Sequence, residues 1–220
     1  MKCVLSICCI VLLSLVHPGD ARARESRFGL GVKAGTLGLG LQARWTPFRY
    51  LDLRIGENAL TAGADARYGD IDYDAELELN TVYAQVNLRF PRSPFRITAG
   101  VFRNRNQINL VSADYTDVTF RGYTFTREEI GTITGTTTFA KTAPYFGFGF
   151  DFGRPGRAGL NLDVGVLWQG DPIVTLTSDG TLASDPTYQM ILESERQALL
   201  SDISTYKAFP VISLTVVYNF

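Results

Sequence analysis

The sequence predicts an all-β protein, an eight-stranded antiparallel up-and-down transmembrane β-barrel with a short helix in the last external loop. Three observations indicate this fold. An export signal occupies the N-terminus, apolar residues recur at every second position along eight segments, and short connections alternate with long ones. A closed barrel follows from them, because strands in lipid must pair all of their backbone polar groups.

The N-terminus has the pattern of a secretory signal peptide. Lys2 precedes an apolar run over residues 4–16, and a small-x-small cleavage site ends at Ala23. The apolar run is shorter than the roughly 20 residues that a spanning helix needs, which disfavours a membrane anchor. We therefore expect residues 1–23 to be removed and residues 24–220 to form one outer-membrane β-barrel domain.

Cleavage of this segment would change the chemistry available to the chain. All of the cysteines and the single histidine lie within it: Cys3, Cys8, Cys9 and His17. The mature chain then has no thiolate nucleophile, no disulfide and no zinc site of the histidine or cysteine kind. Its formal charge changes from −1 to −2 with the loss of Lys2, Asp20 and Arg22, which leaves no basic footprint for nucleic acid. The sequence predicts no cofactor and no metal site.

Apolar and polar residues alternate along eight segments, as expected of strands with two different faces. The segments are 28–34, 37–45, 51–58, 80–90, 95–110, 144–153, 159–170 and 206–220. The first two are either separate strands joined at Gly35-Thr36 or one bent strand. An even strand count places both chain ends on the periplasmic side, and this favours two strands.

Apart from the first hairpin, the connections between these segments alternate in length. They are short at 46–50, 91–94 and 153–158, and long at 59–70, 113–142 and 178–205. Outer-membrane barrels combine short periplasmic turns with longer external loops. We therefore expect the long connections to lie outside the cell.

The outward face of the predicted wall is apolar. The most regular example is an aromatic ladder that we expect to face lipid: Phe146, Phe148, Phe150 and Phe152. The same alternation predicts further outward rows at Leu37, Leu39, Leu41, Ala43, Trp45, Val82, Ala84, Val86, Leu88, Phe90, Leu160, Leu162, Val164, Val166 and Trp168. A soluble sandwich with one polar face is the alternative, but its polar face would contain far less glycine.

The inward face combines glycine, amide and charged side chains. The predicted interior charges are Lys33, Arg44, Asp52, Arg54, Arg89, Arg96, Asp151 and Asp163. Eight strands leave an interior just wide enough for side chains to fill it. These residues therefore predict a mixed-charge plug.

Aromatic residues gather at both ends of the predicted strands, as in the girdles that mark the two membrane interfaces. The periplasmic group is Trp45, Phe48, Phe90, Phe95, Tyr218 and Phe220, and the external group is Trp168, Tyr206 and Phe209.

Two loop segments predict helix. Residues 184–204 begin with Asp185 as N-cap and Pro186 at the first helical position, and apolar residues then recur on one side. A shorter turn is predicted to start at Thr126, with Glu129 completing a capping box.

Two charged segments at the external rim allow more than one interpretation. Arg103 and Arg105 could pair with lipopolysaccharide phosphates or simply be solvated. Asp70, Asp72 and Asp74 have the first spacings of a calcium loop, but the glycine and the bidentate acid of that loop are absent, which favours a polar strand face.

The C-terminal segment SLTVVYNF places Leu214, Val216, Tyr218 and Phe220 on one face. It resembles the assembly signal that the barrel-insertion machinery recognises in bacterial outer-membrane barrels, with Thr215 where the usual pattern has glycine. Together with GVKAGTLGLGL, PYFGFGF and DVGVLWQG, it resembles a family of small proteobacterial outer-membrane proteins of mostly unassigned function, with an OmpA-type eight-stranded barrel. The resemblance implies export to the outer membrane of a Gram-negative cell, the barrel-assembly machinery as a transient partner, and contact with outer-membrane lipid and lipopolysaccharide.

Outer-membrane enzymes of similar size resemble one another in using histidine for acid or base chemistry, and the mature chain has none. No Ser-x-x-Lys pairing replaces it. We therefore expect a non-enzymatic barrel with a structural or surface-interaction role carried by its external loops, whose partner the sequence does not name. The alternative is a porin-like barrel for narrow transport, or for exchange of lipid or small hydrophobic molecules.

Overall fold

The computed structural model describes residues 27–68, 71–90, 92–113, 117–120, 122–153 and 158–220. The predicted signal peptide and Asp70 lie outside these ranges. The described strands are β1 (Phe28–Gly35), β2 (Gly38–Phe48), β3 (Leu51–Tyr68), β4 (Ile71–Arg89), β5 (Phe95–Asn104), β6 (Gln107–Ser112), β7 (Asp117–Phe120), β8 (Tyr123–Thr126), β9 (Ile133–Thr138), β10 (Thr142–Gly153), β11 (Ala158–Trp168), β12 (Ile173–Ser178) and β13 (Ala208–Asn219). The described helices are α1 (Arg127–Ile130) and α2 (Pro186–Ile203).

Eight of the strands close into an antiparallel barrel, which confirms the predicted fold class. They pair in the order β1, β2, β3, β4, β5, β10, β11 and β13, and β13 then pairs with β1. The ring closes next to the C-terminus, where the Phe220 amide donates to the Phe28 carbonyl at 2.9 Å. We call the end of the barrel that holds Phe28 and Phe220 the terminal end.

Residues 28–45 form two strands, β1 and β2, which answers the question that the sequence left open. A tight turn joins them at Thr36 and Leu37. Gly38 directly follows with φ of +96°, a conformation that side-chain-bearing residues rarely adopt. The turn explains why β1 and β2 can each keep their outward rows in register.

At the opposite end, the same sheet continues beyond the barrel wall. β2 pairs with β3 only as far as Ala59, and β5 pairs with β4 only as far as Thr81, yet β3 and β4 continue together beyond these points. There β4 pairs with β6, β6 with β9, and β9 with β12. We call this group, consisting of the outer parts of β3 and β4 with β6, β9 and β12, the extension sheet.

In this region the structure contradicts three expectations, two about loops and one about a strand. Residues 59–68 are strand rather than loop, and so is much of 113–142. The predicted strand 95–110 is interrupted at Arg105 and Asn106, where the chain leaves the barrel wall and continues along β4 as β6. Backbone groups of 59–68 and 133–138 are paired within the extension sheet, whereas β7 and β8 pair with each other in a separate two-stranded sheet. This pairing explains why such long connections need not be irregular.

The two predicted helices are confirmed. Asp185 caps α2 by accepting from the amides of Thr187 and Tyr188 at 2.8 and 3.0 Å, with Pro186 at the first position. At α1, the Thr126 amide donates to the Glu129 carboxylate at 2.8 Å. In the described part of the chain, no helix is long and apolar enough to cross a membrane.

Both helices cover one face of the extension sheet. Ile130 of α1, Ile133 of β9, and Tyr188 and Leu192 of α2 form a buried apolar cluster there. Tyr73, Phe125, Leu176 and Leu182 pack against it. The sheet is therefore one layer of a small two-layer unit whose other face stays open.

Candidate functional site

Arg54 is the centre of an ion-pair network inside the barrel. Its Nε lies 3.1 Å from Oδ1 of Asp52, and its Nη2 lies 3.2 Å from Oδ1 of Asp151. A third carboxylate, that of Asp163, lies 3.9 Å from its Nη1. The Arg54 side chain is fully buried, so these contacts compensate the loss of its hydration.

Arg96 joins the same carboxylates from the other side. Its Nε lies 2.9 Å from Oδ1 of Asp151, and its Nη2 lies 2.5 Å from Oδ1 of Asp163. Its Nη1 also donates to Asn87 Oδ1 and Thr98 Oγ1, both at 2.9 Å. Two buried guanidinium groups therefore share two buried carboxylates, as expected of Arg with its fork of donors.

Arg89 is a peripheral member of the network. Its side chain is 33% exposed, and its Nε lies 3.8 Å from Asp52 and 3.6 Å from Asp151. Water therefore screens Arg89 more than Arg54 or Arg96.

Lys33 and Arg44 are also buried in the interior, but neither is ion-paired to a described residue. The Lys33 ammonium lies 4.5 Å from the ring centroid of Tyr83, which is cation–π distance. Arg44 Nη2 donates to Asn219 Oδ1. The interior charges predicted from the sequence thus lie together, with five cations facing three carboxylates.

A glycine makes room for the network. Gly149 is paired with Arg96 on one side and with Asp163 on the other. A Cβ at position 149 would lie 2.7 Å from Arg96 Cζ. The absence of a side chain there lets the Arg96 guanidinium cross β10 and reach Asp163.

An aromatic tier lies next to the network. Its rings belong to Tyr83, Phe102 and Tyr145, each six residues along its strand from Arg89, Arg96 and Asp151, respectively. The rings of Tyr83 and Phe102 stack at 4.9 Å, and those of Phe102 and Tyr145 lie 5.4 Å apart. Leu37, Ala143, Leu167 and Val211 complete this buried cluster, and Phe209 packs against it. This tier separates the ion-pair network from the extension sheet.

Two sequence expectations are wrong at this tier. Leu37 was expected to face outward, but it lies in the β1–β2 turn, outside the strand alternation, and is 4% exposed. Phe209 was expected in the external girdle, but it is paired with the buried Leu167 and therefore shares its inward face.

Polar side chains fill the interior beyond the aromatic tier. Asn58 donates to Thr81 at 3.0 Å, and Asn104 donates to Gln169 at 3.4 Å. A crevice beside Lys33 and Asn58 is too narrow for a water molecule. Polar side chains therefore continue the filling of the interior beyond the aromatic tier.

The outer surface of the wall is apolar. Phe148 of the aromatic ladder is 44% exposed, Phe146 and Phe152 are exposed to a similar degree, and Phe150 is half-buried between its neighbours. On β13 the exposed row includes Ile212, Leu214, Val216 and Tyr218, and the ring of Phe220, which follows the strand, lies 5.4 Å from that of Tyr218. An apolar surface that continues around a whole barrel needs an apolar environment.

A charged outward position at the edge of the apolar band was missed in the sequence. Glu57 is exposed between Leu41 and Val82, its paired neighbours on β2 and β4. Glu57 is two residues after the exposed Ile55 on β3, so strand alternation places both side chains on the outward face. This spacing would have identified it.

The surface of α2 carries one strongly perturbed group. Hydrogen bonds from Arg196 and Gln197 lower the pKa of Glu193 to about 2. The Arg196 Nε–Glu193 Oε2 distance is 2.7 Å. On the buried side of the helix, burial raises the pKa of Tyr188.

The acidic segment does not form a metal cluster among the described residues. Asp72 and Asp74 belong to β4, a paired strand rather than a calcium loop.

The chain is similar in structure to several solved chains. Two of them are Acinetobacter baumannii CarO2, with a TM-score of 0.58, and Acinetobacter baumannii CarO, with a TM-score of 0.57. Both are 23% identical to this chain, and the alignments cover 90% and 91% of it and 100% of each neighbour. No protein-family model and no curated protein matches the sequence. At this identity the likeness shows the fold.

Proposed function

We propose that the chain is a non-enzymatic outer-membrane β-barrel that does not conduct solutes and acts through its extension sheet and α2 at the cell surface. The export signal proposed for residues 1–23 supports this location, and so does the apolar outer wall between aromatic ends. The structural likeness to CarO2 and CarO supports the barrel fold. In this orientation the terminal end faces the periplasm and the extension sheet faces outward.

The filling of the interior carries the proposal. Arg54 and Arg96 link carboxylates from three strands, β3, β10 and β11, and the aromatic tier of Tyr83, Phe102 and Tyr145 lies next to them. Moving an ion through these layers would require breaking buried ion pairs, which is strongly unfavourable. The part of the molecule left to carry a function is its external surface, where the extension sheet projects beyond the barrel wall.

Planar-bilayer recording of the purified mature chain tests this proposal. We expect no stable conductance step in the wild type. A variant with a reduced aromatic tier, Tyr83→Ala with Phe102→Ala, is the control for a barrel that is inserted but less filled, and it should show more frequent current noise. A stable, well-defined open channel in the wild type would support the narrow transport or exchange barrel instead.

A further inference from the structure

The outer faces of β4, β5 and β10 change from apolar to basic along the strands. Three successive rows of paired residues are apolar: Leu88, Ile97 and Phe148, then Val86, Ala99 and Phe146, then Ala84, Val101 and Pro144. In the next row Val82 is paired with Arg103, and Arg103 with Thr142. The apolar band therefore ends at a basic residue in the middle of this surface.

Arg103 belongs to a small basic group. Arg105 follows it on the same face, next to Asn80, whose carbonyl accepts from the Arg105 amide at 2.9 Å. Lys141 lies beside them, because its carbonyl accepts from the Asn104 amide at 2.8 Å. All three side chains are exposed, and none is ion-paired to a described residue. Their positive charge is thus available to a ligand.

The next tier on this face is the outer surface of the extension sheet, and it is rich in hydroxyl and amide groups. Its hydroxyl and amide side chains are Gln107 and Asn109 of β6 and Thr134, Thr136 and Thr138 of β9, and the exposed Val111 and Ile173 share this face. Thr136 Oγ1 donates to Asn109 Oδ1 at 3.3 Å. The opposite face of the sheet is covered by α1 and α2, so among the described residues this face is the open one.

The acidic residues of this surface either lie away from the basic group or accept a hydrogen bond from a neighbouring side chain. Glu78 accepts from Gln107 Nε2 at 2.6 Å. Glu76 and Asp74 are further along β4, beside the amide and hydroxyl tier. Glu57 is separated from Arg103 by Val82.

We infer that this stripe of the outer surface binds a phosphorylated glycolipid of the leaflet in which the barrel stands. Acyl chains would lie on the apolar rows, a phosphate on Arg103, Arg105 and Lys141, and sugars on the threonine and amide tier. The order of the three tiers along the strands is the order of the three chemical parts in such a lipid. Arg presents paired donors that suit phosphate oxygens, and hydroxyl and amide groups both donate to and accept from sugars.

This inference rests on the proposed location in an outer membrane, which fixes what borders the wall. The continuity of β4 supports it. The outward residues of this one strand run from Leu88 and Val82 in the apolar band to Asn80 and Glu78 beside the basic and amide tiers. One rigid surface thus contacts all three parts of the lipid.

The test is a titration of the purified mature protein in detergent with lipopolysaccharide, followed by native mass spectrometry. We expect Arg103→Gln with Arg105→Gln to weaken binding by about tenfold or more, since hydrogen bonds to charged groups are of that size. Arg49→Gln is the matched control. It removes an exposed arginine at the terminal end, in the turn after β2, and should leave the affinity unchanged.

Two changes of ligand and one further variant test the separate tiers. Dephosphorylated lipopolysaccharide should bind the wild type about as weakly as intact lipopolysaccharide binds the double arginine variant. Thr136→Val with Thr138→Val should weaken binding of full-length lipopolysaccharide but not of lipid A, which lacks the oligosaccharide. Each variant is first shown to be folded by its shifted migration in unheated SDS gels.

Equal affinity of the wild type and the double arginine variant would overturn the inference, and so would an equal loss in Arg49→Gln. A barrel that is silent in bilayers but does not distinguish these ligands refutes the glycolipid site alone. A conducting barrel with the expected affinities refutes the proposed function alone.

Discussion

Arg96 and Asp163 form an ion pair across an intervening strand, with Nη2 and Oδ1 2.5 Å apart. The strand between them is β10, and the residue at the crossing point is Gly149. A buried ion pair over a glycine joins three strands of the wall through side chains as well as through backbone hydrogen bonds. The interior glycine is therefore part of the ion-pair network.

Gly149→Ala should destabilise the barrel. The added Cβ would lie 2.7 Å from Arg96 Cζ, so the fully buried guanidinium would have to move away from Asp163. We expect the free energy of unfolding in urea to fall by about 1 to 3 kcal/mol, the usual range for overpacking. Gly63→Ala in the exposed part of β3 is the control, since its Cβ would meet only the Ala75 carbonyl at 3.9 Å. Equal stability of both variants would contradict the role given to Gly149.

Arg54→Met should destabilise the barrel far more than Arg89→Met. Removal of the Arg54 guanidinium leaves buried carboxylates with fewer partners, which typically costs about 3 to 5 kcal/mol. Arg89 is part-exposed and more distant, so its loss should cost about 1 kcal/mol or less. Urea titrations in lipid vesicles measure both. Similar losses for the two arginines would show that the interior is more hydrated than the contacts indicate.

Phe148→Arg should lower the free energy of unfolding more than Phe152→Arg does if the ladder faces the bilayer. An arginine near the middle of an outer-membrane barrel costs about 2 to 4 kcal/mol, whereas one near the interface costs about 0 to 1 kcal/mol. Phe152 is next to the end of β10, and Phe148 lies in its middle. Folding titrations in vesicles give the two values.

Cysteine labelling checks the same assignment without adding a charge. Single cysteines at Phe148 and at Gly149 should differ, because a lipid-borne quencher should reach a spin label at 148 and miss one at 149. Equal quenching at the two positions by a water-soluble reagent would exclude a lipid-facing ladder.

Deletion of Phe220 should reduce insertion in cells more than folding in detergent. The residue ends the outward row of β13, and its amide closes the ring onto Phe28. If the segment is read by the barrel-insertion machinery, the yield of heat-modifiable protein in outer membranes should fall, while refolding of the purified chain keeps most of its yield. Equal losses in the two settings would assign Phe220 to closure alone.

Glu193 should stay ionised at unusually low pH. Arg196 and Gln197 hydrogen-bond its carboxylate and lower its pKa to about 2, so its contribution to α2 is complete above the unfolded pKa and is lost only as pH falls through the folded value. Carbon-detected NMR of the Glu193 carboxyl measures the titration. Arg196→Gln should raise the pKa towards its ordinary value, and an unchanged midpoint would refute the assignment.

The strands of the barrel could be read from the sequence because each has one apolar and one polar face. Val82, Val86 and Leu88 alternate with Tyr83, Gln85 and Asn87, and this pattern fixes both strand type and facing. The caps of α2 and α1 were equally readable, because Asp185 and Thr126 act on amides a few residues away.

The extension sheet could not be read in the same way. The outer part of β3 consists largely of alanine, glycine and threonine, and β9 is ITGTTT, so neither has a clear apolar face. The pairing partners of β9 are also distant in sequence, as for Val111 and Thr134. The Arg96–Asp163 contact across Gly149 could not be predicted from the sequence either, because it depends on the registers of three strands together.

The 19-residue β4 belongs to both the barrel wall and the extension sheet. At about 3.3 Å per residue, its part beyond Thr81 projects up to about 30 Å along the strand direction. No hinge separates the two parts, because β3 stays paired with β4 throughout. A molecule held by the extension sheet is therefore kept at a fixed height and azimuth relative to the barrel axis, so neighbouring barrels in one membrane would present their bound molecules on a common plane.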